Sequence, residues 1–330
     1  MKGSTLDLGV LLCDLEIKPV LMDVGASGEP PPIWAGISSQ SLYIGFDPDL
    51  REIHEDKVAG YHRSVILNEA VTAERQSAEV SFYLTRSPFC STTLDPNPKA
   101  TGPWLERDLF DVEGRATVRA TTIDSVMARL KMSRIDWIKL DTQGTDLRII
   151  NSIAPDVLTR VMAIDTEPGL IPIYQGEDMF VDVHRELTEK GFWLSDMHAG
   201  GFLRMRRTTL DVLRRANPVM SDAYIRGAVR TSPAYIEARY LRTIEWLADN
   251  KMSEQEYSLL WIFALMDLQF GFALDLSVEY ERIFGATAAA RKLTDATWAF
   301  VSRSRRRRAL KHAAAPVAAG VKSVLGRLVG

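Results

Sequence analysis

Between residues 19 and 207, short apolar runs alternate with stretches whose apolar residues recur at helical spacing. That alternation predicts βαβ units laid against one sheet. Buried strands are predicted at "VLMDVGA" (20–26), "LYIGFDPD" (42–49), "SVILNEAV" (64–71), "RIDWIKLD" (134–141) and "RVMAIDTE" (160–167). Two further runs, "AEVSFYLT" (78–85) and "ATVRATTID" (116–124), alternate apolar with polar and predict edge or hairpin strands beside the main sheet. The turn-rich residues 86–103 read as a surface loop. "EDMFVDVHRELTEKG" (177–191) reads as an amphipathic helix closed by Gly191, and "FWLSDM" with "FLRMRRT" around "HAGG" reads as a terminal antiparallel hairpin. Beyond residue 208 the spacing is helical: "LDVLRRA", "PAYIEARYLRTIEWLADN" and the long run from Ser253 to Gly285. Tyr235, Tyr240, Trp246, Trp261 and Phe263 are expected there as core. The fold class is α/β with a doubly wound sheet over residues 1–208, a helical extension over 209–302 and a tail over 303–330.

In an open parallel sheet the ligand crevice lies beyond the carboxyl ends of the strands, where strand order reverses. The first predicted strand ends in "DVGASGEPPP" (23–32). A dinucleotide site calls for three glycines spaced G-x-G-x-x-G, so that backbone amides approach a diphosphate. This turn has only Gly25 and Gly28, flanked by the carboxylates of Asp23 and Glu29 and followed by three prolines that lack amide donors. A cationic ligand reverses the sign of that argument. S-adenosylmethionine carries an ammonium and a sulfonium, so Asp23 becomes a counter-ion, with Gly25, Ser27 and Gly28 passing close to the methionine part. A helix cap is the other role open to Asp23.

The second strand ends in Asp47, twenty-two residues after Gly25. An acidic side chain there accepts hydrogen bonds from both hydroxyls of a ribose, in NAD and adenosylmethionine sites alike. Phe46 or Pro48 could flank the adenine. Asn68, at the end of the third strand, is a candidate for the adenine edge or a turn-forming residue.

The fourth strand and its turn read "IDWIKLDTQGTDL" (135–147). With "DVGASG", "GFDPD" and "TTIDSV" in that order, and with "IYQGEDMF" after the "EP" that ends the fifth strand, the chain resembles the FkbM family of methyltransferases over about residues 19–200. The family's Lys, apolar, Asp and turn glycine match Lys139, Asp141 and Gly144. The resemblance implies a Rossmann-like class I methyltransferase sheet of seven strands with the last antiparallel. It also implies S-adenosyl-L-methionine as cofactor and methyl transfer to a hydroxyl of a sugar, glycan or related natural product. Two positions depart from the family's usual pattern: Ser27 stands where Asn is usual, and Gln143 where Glu is frequent after Asp141. The second change keeps hydrogen bonding and removes a charge, so position 143 is not expected to be the general base.

Methyl transfer needs an oxygen nucleophile in line with the methyl group and an acceptor for the hydroxyl proton. The candidates, in order, are Asp141 at the end of the fourth strand, His198 in the "HAGG" turn and Glu167 closing the fifth strand. Each has a structural alternative: Asp141 as ion-pair partner of Lys139 or helix cap, Glu167 as a solvated loop carboxylate, and His198 as an exposed histidine. No His or Cys spacing suggests zinc, no metal is expected, and no G-x-S-x-G elbow is present.

Composition adds two things. The formal net charge of −3 divides unevenly, because residues 303–330 carry eight Lys or Arg and no Asp or Glu; the rest holds 32 basic against 43 acidic residues, a net −11. An acidic body is poorly suited to nonspecific nucleic-acid binding. The tail pairs four consecutive arginines, Arg305 to Arg308, with an apolar helical stripe of Val317, Val321, Val324, Leu325 and Leu328. Such a segment suits an anionic membrane surface, as well as a solvated end or a helix docked on the body. The chain has two cysteines, Cys13 and Cys90, and neither a secretory h-region nor a membrane-length apolar run. A cytoplasmic protein, peripheral at the inner membrane face through its tail, is the expected setting. The competing functional readings are an NAD-dependent sugar oxidoreductase and a catalytically silent, membrane-associated glycan-binding subunit.

Overall fold

The computed structural model describes residues 7–49, 58–74, 78–219 and 221–302. Ten strands form in chain order: β1 (Val20–Val24), β2 (Leu42–Phe46), β3 (Arg63–Leu67), β4 (Ala70–Val71), β5 (Glu79–Thr85), β6 (Val112–Thr121), β7 (Trp137–Leu140), β8 (Ala163–Thr166), β9 (Phe192–Phe202) and β10 (Ser232–Arg242). Seven of them make one sheet in the order β3-β2-β1-β7-β8-β10-β9, while β4, β6 and β5 make a small second sheet. The pairs β1–β2, β2–β3, β1–β7 and β7–β8 are parallel, and β10 runs antiparallel to both β8 and β9. The fold is the doubly wound, Rossmann-like methyltransferase arrangement, with the last strand reversed.

The strands behave as their apolar runs require. All five residues of β1 are buried, as expected for a central parallel strand covered on both faces. One face carries Met22, Val24, Ile44, Ile138 and Ile164 under the helices Ile123–Leu130, Asp146–Ser152 and Phe180–Glu189. The other carries Leu21, Tyr43 and Trp137, packed with Trp34, Trp261 and Phe263. Burying one large aromatic side chain contributes roughly 2–3 kcal/mol, so this second face depends on its C-terminal helices.

Two expectations change here. Residues 192–208 do not form a hairpin: "HAGG" lies inside the continuous strand β9, whose partner is β10, thirty residues further along in a stretch read as helical. In β10 the buried Ala234, Ile236, Ala238 and Tyr240 alternate with less buried residues. Tyr235, Ile236, Arg239 and Tyr240 also fit helical spacing, and pairing with β8 and β9 decides between the periods. The helices beyond β10 cover the sheet. Residues 256–265 of the helix Glu254–Met266 are all buried, and this helix starts on a capping box in which Ser253 and Glu256 bond each other's backbone N–H. No helix among the described residues is long and apolar enough to cross a membrane. The basic tail, residues 303–330, lies outside the described residues.

Candidate active site

Strand order reverses between β1 and β7, and their registered ends set the site. Five residues lie side by side across five strands: Asp23 on β1 against Lys139 on β7, Lys139 against Asp165 on β8, Asp165 against Arg239 on β10, and Arg239 against Asp196 on β9. The row alternates in sign, the favourable cross-strand arrangement. Lys139 Nζ stands 3.3 Å from Asp23 Oδ1 and 3.6 Å from Asp141 Oδ2. Arg239 Nε stands 2.7 Å from Asp165 Oδ1 and its Nη1 2.8 Å from Asp267 Oδ1. Burial pulls the Lys139 ammonium down, but Asp23 and Asp141 outweigh it and hold the group above its ordinary value.

A first cavity opens at the switch point, where Val24, Gly25 and Ser27 face Phe46, Asp47 and Asp141. Val71, Phe82 and Phe89 supply an apolar wall. Gly25 is a steric requirement: its φ is +83° and an added Cβ would stand 2.1 Å from the Asp141 carbonyl oxygen. Ser27 Oγ is buried with no hydrogen-bond partner among the described residues. Asp47 is 5% exposed, and its Oδ1 accepts the Asp49 N–H at 2.7 Å. Burial raises its carboxyl to about 6. An apolar wall, a buried carboxylate at the end of β2 and an orphaned hydroxyl fit a nucleoside with a polar extension.

The turn after β7 is held from several sides. The buried Asp146 accepts at Oδ1 from Thr142 N (3.1 Å) and Thr142 Oγ1 (2.6 Å), and at Oδ2 from Thr166 Oγ1 (2.7 Å) and Glu167 N (2.9 Å). It therefore fixes the ends of β7 and β8 together. Gln143, in a left-handed conformation at φ +57°, donates through Nε2 to Asp141 Oδ1 at 2.7 Å. The Tyr174 hydroxyl donates toward Gln143 Oε1 (2.8 Å) and the Cys90 carbonyl (3.0 Å). Tyr174, Gln143 and Asp141 form a chain of hydrogen bonds that aims the Asp141 carboxylate.

Two more cavities reach the same place. An acidic one of about 320 Å³ lies over the charged row, with Glu29, Asp141, Glu167, His198 and Glu237 around it. An aromatic one of about 140 Å³ is walled by Phe89, Phe110, Tyr174, Phe202 and Tyr235, with Glu167 and Glu177 inside. Asp141 is shared by the first and acidic cavities, Glu167 by the acidic and aromatic, and Gln143 and Phe89 by the aromatic and first. The three spaces meet around Asp141, Gln143 and Glu167, where a group carried in one could be passed to a molecule in another. Glu167 is raised to about 9, first by burial and then by Asp141 and Glu237. Glu177 is raised to about 7 by burial, against the backbone N–H groups it accepts.

Residues 40–194 match the model of the methyltransferase FkbM domain. The chain carries an FkbM methyltransferase domain. No curated protein matches the chain. Among solved structures it is similar to one described as an antibiotic-related methyltransferase, at 14% identity and a TM-score of 0.27, covering 73% of this chain and 97% of that one. A second, the 30S ribosomal A1408 methyltransferase from an uncultured bacterium (UncKam), shows 10% identity and a TM-score of 0.25 over 73% and 97% of the two chains.

The sheet brings Gly25, Ser27, Asp47 and Asp141 around its first cavity and leaves three expected cofactor-binding residues, Asp23, Gly28 and Asn68, outside it. Asp23 is 2% exposed and bound by Lys139 and by the Tyr43 hydroxyl at 2.9 Å, so its charge is already compensated within the sheet. Those partners favour a structural role for Asp23 over the counter-ion role expected of it. Gly28 turns the chain at φ +82° with open space around its α-carbon. Asn68 donates to the Asp47 carbonyl at 2.8 Å and so acts as a turn residue rather than on an adenine edge. Burial, with Asp141 and Glu237 nearby, raises Glu167 and disfavours the charged form that a resting base needs. His198 lines the acidic cavity from the middle of β9, opposite Glu237, rather than from a turn. Sequence reasoning missed Asp146, Arg239, Glu237 and the aromatic cavity. A single charged residue inside each of "LMDV", "WIKL", "AIDT" and "ARYL" was the available sign of the charged row.

Proposed function

We propose that the chain is an S-adenosylmethionine-dependent O-methyltransferase acting on a hydroxyl of a sugar, glycan or related natural product. The observation that carries this reading is the meeting of three cavities around Asp141, Gln143 and Glu167, one of them shaped for a nucleoside at the switch point of a methyltransferase sheet. Adenosylmethionine, when bound, supplies a methyl group on a sulfonium that an oxygen nucleophile can take. The chain's residues do the rest. Asp47 accepts from the ribose hydroxyls, Phe46 and the Val71–Phe82 wall enclose the base, and Ser27 Oγ meets the polar extension. Asp141, oriented by Gln143, receives the acceptor's hydroxyl proton. The acidic surroundings suit a cationic cofactor and oppose a diphosphate, which favours this reading over a nicotinamide enzyme.

Calorimetric titration tests it. Adenosylmethionine should bind, NAD should not, and Asp47→Ala should weaken the first by roughly tenfold or more, as loss of hydrogen bonds to a charged group does. NAD binding, or no nucleoside binding at all, would reject the assignment.

A further inference from the structure

We infer that the aromatic cavity is the acceptor subsite and that it admits one uncharged, hydroxyl-bearing six-membered ring while turning away anionic ones. The inference rests on the function proposed above and adds a location and a charge rule to it.

Size comes first. About 140 Å³ is close to the roughly 150 Å³ cavity that holds a benzene ring. One ring therefore fits, and a second must stay outside. The walls come next. Phe110 packs edge-on to Tyr174 at 6.1 Å, edge-on to Phe202 at 5.5 Å, and Phe202 leans on Tyr235 at 6.2 Å. These rings are braced from behind by Trp104, stacked on Phe202 at 4.7 Å. Gly200 is the residue that lets Tyr235 take its place, since a Cβ there would stand 2.1 Å from the tyrosine ring. Flat walls of this kind favour a ring with apolar faces.

The polar groups set the second half of the rule. Glu167 and Glu177 border a cavity otherwise lined by aromatic rings, Cys90, Gln143 and Ile173. Glu177 is engaged at one oxygen by the Tyr174 N–H at 2.9 Å. Among the described residues no side chain donates a hydrogen bond to Glu167. A ring without hydroxyls would bury that carboxyl group unsatisfied, at a cost the filled cavity cannot offset. A ring bearing its own carboxylate would lose its water among aromatic rings and near Glu177 and Asp141, with no cation lining the cavity among the described residues, since Lys139 is held by Asp23 and Asp141 outside it. Hydroxyls at the edge and C–H bonds on the faces match both demands. The wall shared with the first cavity, Gln143 and Phe89, then puts one edge hydroxyl toward Asp141.

Saturation-transfer NMR on the full chain, with S-adenosylhomocysteine present and absent, tests the subsite using three probes of one ring size: a neutral methyl hexopyranoside, the matching methyl hexopyranosiduronate (free carboxylate) at neutral pH, and benzene, which has no hydroxyl. The hexopyranoside should bind through its ring C–H protons, with the uronate at least about tenfold weaker and benzene weaker than the hexopyranoside. Tyr235→Leu should lower hexopyranoside affinity by about tenfold while S-adenosylhomocysteine affinity stays unchanged, which also reports that the variant is folded. Uronate or benzene binding as tight as the neutral sugar, or sugar binding indifferent to Tyr235→Leu, overturns the inference. Failure of S-adenosylhomocysteine to bind the parent protein overturns the proposed function instead, and the probe ranking without it still decides the subsite.

Discussion

The two halves of the sheet build their parts of the site in different ways. On the β1–β3 side, the first cavity is assembled from short segments at strand ends: 24–27, 46–49, 69–71 and 141–145 supply most of it. On the β8–β10 side, the acceptor spaces draw on residues as distant as Phe89, Phe110, Glu167, Phe202 and Tyr235. The first half is fixed mostly by strand order, because most contributing residues end or directly follow a strand, with Phe82 and Phe89 added from β5 and the loop after it. The second depends on how an inserted small sheet, a loop and a late antiparallel strand return to the same edge. The donor side is thus the general part of the fold and the acceptor side the particular one, and substitutions should divide along that line.

The largest separation is expected at Asp141, where the halves meet. Asp141→Asn keeps the shape and the bond to Gln143 but removes the proton acceptor. Turnover should fall by about 10²–10⁴, while adenosylmethionine affinity measured by calorimetry stays near that of the parent. A variant with near-normal turnover would move the base elsewhere, His198 being the remaining candidate on the cavity wall.

A smaller effect follows from pH. Asp47 and Glu177 rise from 3.8 and 4.5 to about 6 and about 7, and Glu167 from 4.5 to about 9, each chiefly through burial. A carboxyl whose folded value is raised contributes stability that is complete below its unfolded value and is lost as pH climbs through the folded one. The ligand-free protein should therefore lose melting temperature steadily between about pH 5 and pH 9. Glu167→Gln should level that decline above about pH 7, where the other two carboxyls no longer contribute, and make the lower part shallower. A melting temperature that is level from pH 5 to 9, or a Glu167→Gln curve parallel to the parent's, would show that these carboxyls are not strained by burial.

Much of the donor half was legible along the chain. Apolar runs ending in Asp23, Asp47 and Asp141 mark strand ends wherever they occur, and Gly25 marks the turn. The role of Asp23 was not legible, because its partner Lys139 lies 116 residues away and becomes its neighbour only through the β1–β7 register. The acceptor half was hidden for a related reason. Tyr235, Phe110 and Phe202 carry no mark that separates a cavity wall from ordinary core, and β10 satisfies helical and strand periods at once. What settled each was pairing with strands far off in sequence, which local spacing does not encode.

The central claim is that donor and acceptor spaces converge on Asp141, and a crystal structure with S-adenosylhomocysteine bound tests it most directly. The account predicts the ribose on Asp47, the base against Val71 and Phe82, and the sulfur facing the junction of Asp141, Gln143 and Glu167. A nucleoside lodged over Arg239 and Glu237 in the acidic cavity, or a sulfur turned away from Asp141, would contradict it.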